Sequence, residues 1–98
     1  MKTRTLQPKV EQKLNCLEYE LVLSPTKSPR DHFMYDLFYK KQKIGIFQIS
    51  YTSNDFGKPL IGKMARQLGI SSQELIGLEK CTFWGIDFVK VSRIIPRD

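Results

Sequence analysis

Two apolar runs, His32 to Tyr39 (HFMYDLFY) and Ile44 to Tyr51 (IGIFQISY), are separated only by Lys40-Lys41-Gln42-Lys43, and they limit the fold more than any other feature of the chain. Both are dense in aromatic and β-branched residues, which suit a pleated, half-buried surface. The polar KKQK between them predicts a turn, and therefore an antiparallel hairpin. Strand side chains alternate between faces. Phe33, Tyr35, Leu37 and Tyr39 are thus predicted on the inward face of the first strand, with His32, Met34, Asp36, Phe38 and Lys40 outward. In the second strand, Phe47, Ile49 and Tyr51 are predicted inward, and Ile46, Gln48 and Ser50 outward. Met34, Phe38 and Ile46 then place an apolar patch beside His32 on the outward face, more than a solvated sheet needs, and are candidate partner-binding residues.

The flanking segments supply the other layer. Pro8 to Leu17 puts Val10, Leu14 and Leu17 at helical spacing, with Pro8 suited to the first turn. Tyr19, Leu21 and Leu23 alternate with polar residues as in a strand ending at Ser24-Pro25, and SPTKSPRD reads as a loop. After the turn-like TSNDFGKP, Leu60 to Leu68 carries Leu60, Ile61, Met64 and Leu68 at helical spacing, and Gly69 fits its C-terminal stop. Ser71-Ser72-Gln73-Glu74 matches a capping box for a short helix bearing Leu75, Ile76 and Leu78. The aromatics of Phe83 to Ser92 suit either a helix or a strand. This order predicts an α+β fold: a three-stranded antiparallel sheet with helices on one face, α-β-β-β-α followed by short C-terminal helices. A chain of 98 residues has room for one domain. Its predicted core spans about residues 8–69, with a helical extension over about 71–93.

The chain carries a formal charge of +6, and the surplus is uneven: residues 1–66 hold 12 Lys and Arg against 6 Asp and Glu, and residues 67–98 hold 4 against 4. A basic surface of this kind fits a polyanionic partner, and equally a solubilising one. The candidate nucleic-acid-binding residues are Arg30, Lys40, Lys41, Lys43, Lys58, Lys63 and Arg66. No apolar run approaches the roughly 20 residues that span a bilayer, and MKTRTLQPKVEQK lacks a signal-peptide core. A cytoplasmic protein with no membrane partner is expected. Cys16 and Cys81 show no metal-ligand or redox spacing and are expected to be buried thiols. There is no P-loop, no G-x-G-x-x-G and no HExxH, so neither a metal nor another cofactor is expected.

His32, the only histidine, is the residue best suited to exchange protons near neutrality. Arg30-Asp31-His32 before aromatic residues resembles the position of the glycine-serine-histidine-histidine motif of HicA-type mRNA interferase toxins, whose core is similar to a double-stranded-RNA-binding domain. A second stretch, Lys63-Met64-Ala65-Arg66-Gln67-Leu68 followed by Ser71-Ser72-Gln73-Glu74-Leu75 and Cys81, is similar to small uncharacterised prokaryotic relatives with an RDH tract and a MARQL helix. Together the two cover roughly residues 9–92. The resemblance implies RNA as partner, a cognate antitoxin protein, and a metal-independent endoribonuclease in which His32 is the catalytic general acid or base. Arg30 and Lys43 are candidates to support charge on the phosphate, on proximity alone. Phe33 stands where HicA toxins often have an adjacent histidine, and Tyr51 where the relatives often end a strand in ISH. A non-catalytic nucleic-acid-binding or protein-interaction module on the same fold is the alternative.

Overall fold

The computed structural model describes residues 1–26 and 32–97. Helix α1 (Thr3–Lys13) leads through a single 3₁₀ turn (Leu17–Tyr19) into strands β1 (Leu21–Pro25), β2 (His32–Tyr39) and β3 (Gln42–Ser50). Helices α2 (Lys58–Gln67), α3 (Ser72–Lys80) and α4 (Gly85–Val91) follow. The strands form one antiparallel sheet in the order β1-β2-β3, so the protein is α+β with the layout its sequence predicts. Among the described residues no helix is long and apolar enough to cross a membrane.

The hairpin forms around a tighter turn than KKQK implies. Only Lys40 and Lys41 turn, at φ 51° and 65°, while Gln42 and Lys43 already pair with Tyr39 and Phe38. Left-handed conformations at both central residues give the twist that a two-residue hairpin needs. Between the pairs Leu37↔Gly45 and Phe38↔Lys43 the register slips, leaving Ile44 as an extra, bulged residue. Beyond the bulge the alternation holds: Tyr35, Leu37, Phe47 and Ile49 are buried, with Leu21 and Leu23 of β1 beside them.

Helices cover this inner face. Leu6, Val10 and Leu14 of the first helical segment, Met64, Ala65 and Leu68, Leu75 and Leu78, and Phe88 complete one buried cluster that reaches from Leu6 to Ile95. The C-terminal helices therefore share the main core with the sheet.

Four local expectations are corrected. Helix α1 begins at Thr3 rather than Pro8, which lies inside it. An interior proline costs about 3 kcal/mol. Full burial of Leu6, worth roughly 1.5–3 kcal/mol, and the bonds of Thr3 offset that cost. Leu17 leaves the helix for the 3₁₀ turn and is 78% exposed, and Tyr19 lies in the same turn rather than in β1. Tyr51 is outside β3 and 50% exposed. The cause is Thr3, whose hydroxyl donates to the Ser50 carbonyl and accepts from the Thr52 N–H at 2.9 Å, so the chain leaves the strand at Tyr51. Finally, Cys81 is exposed and Cys16 half-buried. Cys81 ends α3 with φ 64°, and its thiol is held below the usual range by hydrogen bonding from Lys13 and, less, from Lys9.

The remaining elements follow local chemistry. The Ser71–Glu74 capping box is present, with bonds of 2.8 and 3.1 Å. Within Phe83 to Ser92 the chain forms the short helix α4, and Asp87 in its first turn accepts from the N–H of the preceding Trp84 at 2.9 Å. Both sheet edges are occupied by side chains. Gln67 accepts from the Gln48 N–H of β3 at 3.1 Å, and Asn15 accepts from the Leu23 N–H of β1 at 3.4 Å.

Candidate functional site

Because the helices pack on the face of Tyr35 and Phe47, the opposite face of the sheet carries His32, Met34, Asp36 and Phe38 from β2 and Ile46, Gln48 and Ser50 from β3. Cross-strand pairing sets their neighbours. His32 lies opposite Ser50, Met34 opposite Gln48, and Asp36 opposite Ile46. Met34 and Phe38 are half-buried and Ile46 is 50% exposed; of the three only Met34 is near His32, Phe38 lying at the far end of the strand.

His32 opens β2 and is half-buried, and its Nδ1 is enclosed with no hydrogen-bond partner among the described residues. Its cross-strand neighbour Ser50 also lines a narrow groove between β3 and α2, shared with Gln48, Leu60, Lys63 and Gln67. Helix α2 runs back along β3, because Gln67 near its end bonds Gln48 and its carbonyl lies by Gly45. Lys63 therefore reaches the His32 end of the sheet, with Ser50 as their common neighbour. Helical spacing gives no sign that Lys63 shares a groove with Ser50, since that depends on how α2 docks.

The basic residues form two groups rather than one. Lys58, Lys63 and Arg66 are exposed along α2 and make no ion pair among the described residues. Lys40, Lys41 and Lys43 cluster at the hairpin, at the other end of the sheet. Six positions along β2 separate His32 from Phe38, the partner of Lys43, which is about 20 Å at 3.3 Å per residue. Lys43 is thus too far from His32 to support charge there. It pairs instead with Asp36 at 3.2 Å, which counters its charge. Lys40 Nζ sits 5.4 Å from the Tyr39 ring centroid, and Lys41 is exposed. Arg30, the other candidate for that role, lies outside the described residues together with Asp31.

Other titratable groups belong to the scaffold. The buried Tyr35 hydroxyl donates to Glu11 at 2.9 Å and accepts from Gln7 at 3.1 Å. Burial is the largest cause and pushes it up to about 12; the bond from Gln7 opposes the rise, and the Glu11 carboxylate adds to it. Lys13 is almost fully buried, donates to the Leu78 carbonyl, and places its Nζ 4.5 Å from the Trp84 ring centroid. No three His, Cys, Asp or Glu side chains gather as a metal site among the described residues.

No protein-family model matches this chain, and it matches neither a curated protein nor a solved structure.

Proposed function

We propose that this chain is a HicA-like RNA-binding protein that meets RNA on the uncovered sheet face, with His32 as the proton-transferring group of a metal-independent endoribonuclease. The observation that supports it is the placement of His32 and Lys63 around Ser50, on a face left open by the helices and flanked by uncommitted lysines. With Nδ1 enclosed, Nε2 is the nitrogen that exchanges the proton. As general base it takes the proton of a ribose 2′-OH. The resulting oxygen attacks the adjacent phosphorus, and the 5′-oxygen leaves with a proton from water. Lys63 offers positive charge to the phosphate as negative charge builds on it.

The test is His32→Ala in an RNA cleavage assay and in growth on expression. A positioned imidazole contributes about 10² to 10⁴ in rate, and the variant is expected to lose that while keeping RNA affinity. Unchanged cleavage and unchanged growth arrest would exclude the catalytic role. RNA affinity is expected to fall steeply with salt, because neutralised phosphates release counterions.

The exposed Ile46, with half-buried Met34 and Phe38 on the same face, favours a second reading, in which that face is a non-catalytic nucleic-acid or protein contact. A protein partner would cover it. In that case the unmodified protein binds without cutting, and Ile46→Lys abolishes co-purification of the protein partner.

A further inference from the structure

Behind the sheet, on the face away from His32, the start of α1 and the segment after β3 enclose an open cleft of about 760 Å³. That is the size range of small-molecule sites, about 300–1,000 Å³. Phe33 is adjacent to His32 in sequence and so points to the opposite side of the sheet. Lys2, Arg4 and Gln7 line one wall, and Phe33, Tyr51 and Ser53 the other; no carboxylate among the described residues lines it. Phe33 and Tyr51 meet edge to face, with ring centroids 4.6 Å apart and planes at 81°.

The walls are fixed relative to one another. Thr3 bonds both the Ser50 carbonyl and the Thr52 N–H, tying the helix start to the strand exit. Gln7 is equally constrained. Its Nε2 donates to the Tyr35 hydroxyl, which is itself committed to Glu11, so the Gln7 carbonyl oxygen is left as an acceptor beside the cleft. The cleft therefore offers aromatic surface, two cations, a fixed acceptor and a serine hydroxyl. Aromatic rings next to cations match a planar heterocycle bearing a phosphate.

We propose that this cleft binds a single nucleotide, its base against Tyr51 and Phe33 and its phosphate toward Lys2 and Arg4. A free nucleotide and an unpaired nucleotide of an RNA strand share this chemistry; only the second source rests on the RNA reading above.

The experiment is a titration of the ¹⁵N-labelled full chain with AMP, UMP, adenosine and a single-stranded oligouridylate. AMP or UMP is expected to shift the amides of Lys2, Arg4 and Gln7, of Phe33, and of Tyr51 to Ser53. Adenosine, lacking the phosphate, binds more weakly than AMP. Tyr51→Leu is expected to weaken binding about tenfold, within the range for losing one base stack. Arg4→Gln, on an exposed side chain, is expected to bring AMP down toward adenosine. The hairpin variant Lys41→Gln serves as the independent control, since it lowers RNA affinity without altering the AMP shifts. If the oligouridylate shifts the same amides at lower concentration, the nucleotide comes from a strand. If only mononucleotides do so, the cleft takes free nucleotides, and the proposal stands without the RNA reading. Absence of these shifts with every ligand at millimolar concentration overturns it. So does a Tyr51→Leu variant that binds AMP as tightly as the unmodified chain, even where RNA binding itself is intact.

Discussion

Replacing Lys40-Lys41 by Asn-Gly is expected to make the protein more stable and, on the RNA reading proposed above, to weaken its hold on RNA at the same time. Both lysines occupy the left-handed region, at φ 51° and 65°. That conformation costs an L-residue with a Cβ about 1–2 kcal/mol. Glycine at position 41 removes the penalty but adds about 0.4–1 kcal/mol of chain entropy to the unfolded state. Asparagine at 40 tolerates the conformation better than lysine and matches the preferred hairpin pair. The Lys40 ammonium over Tyr39, at 5.4 Å, is lost, which at an exposed site is about 0.5 kcal/mol. The Lys40 N–H bond to Glu20, at 3.0 Å, is backbone and survives. The net gain is about 1 kcal/mol, which raises Tm by about 4–8 °C in a domain of this size. Thermal and urea melts measure it, with the urea slope unchanged if only native strain was relieved. In parallel, the salt dependence of RNA affinity should flatten by about 0.7–0.9 for each phosphate that the hairpin no longer neutralises. A Tm that stays put or falls would refute the strain argument. An unaltered salt slope would refute a phosphate role for the hairpin lysines.

Gly69→Ala is expected to destabilise by about 2–5 kcal/mol, the sum of a left-handed alanine and overpacking. Gly69 has φ +68°, and a Cβ there would lie 2.8 Å from the Ile94 nitrogen and 2.9 Å from the Arg93 nitrogen; denaturant midpoints give the size. Ser92→Ala removes a fully buried hydroxyl that donates to the Leu68 carbonyl at 2.6 Å and accepts from Ile94 N–H at 3.3 Å. The orphaned groups should cost about 1–3 kcal/mol in the same assay. Tyr35 has its folded pKa raised from 10.0 to about 12, so its contribution is fully present below 10 and is lost as pH rises through about 12. Unfolding followed across that window should show the unmodified chain weakening with alkali, and Tyr35→Phe should lack that part of the slope.

The hairpin was legible because period-2 patterning over two eight-residue runs leaves few alternatives, and it placed His32, Met34, Phe38 and Ile46 on the correct face. Sequence spacing was less informative where the chain leaves a regular element. Tyr51 continues the alternation of Phe47 and Ile49, yet Thr3, 47 residues away in sequence from Ser50, decides that the strand stops first. Helix α1 hid its start because Thr3-Arg4-Thr5 has no acidic first turn, and Pro8 imitates an N-terminal signal. Lys13 reads as a solvated charge and is buried, since only the docked Leu78 carbonyl and Trp84 ring make its burial tolerable. The groove that joins Lys63 to Ser50, and the cleft between Arg4 and Tyr51, exist only through such docking, and no local pattern encodes them.

The side chains that occupy the two sheet edges also decide how this molecule resists polymerisation. Strand addition, whether in domain exchange or in fibril growth, requires a run of free N–H and C=O groups along an outer strand. Here β1 is five residues long and ends in Pro25, which has no N–H to offer, and Asn15 and Gln67 occupy a donor on either side. Removing one amide, as in Gln67→Leu, frees the Gln48 N–H of β3, a nine-residue strand with three isoleucines and one phenylalanine, for the β3 of a second molecule. The cost of that substitution would therefore register in the lag time of aggregation sooner than in the midpoint of unfolding.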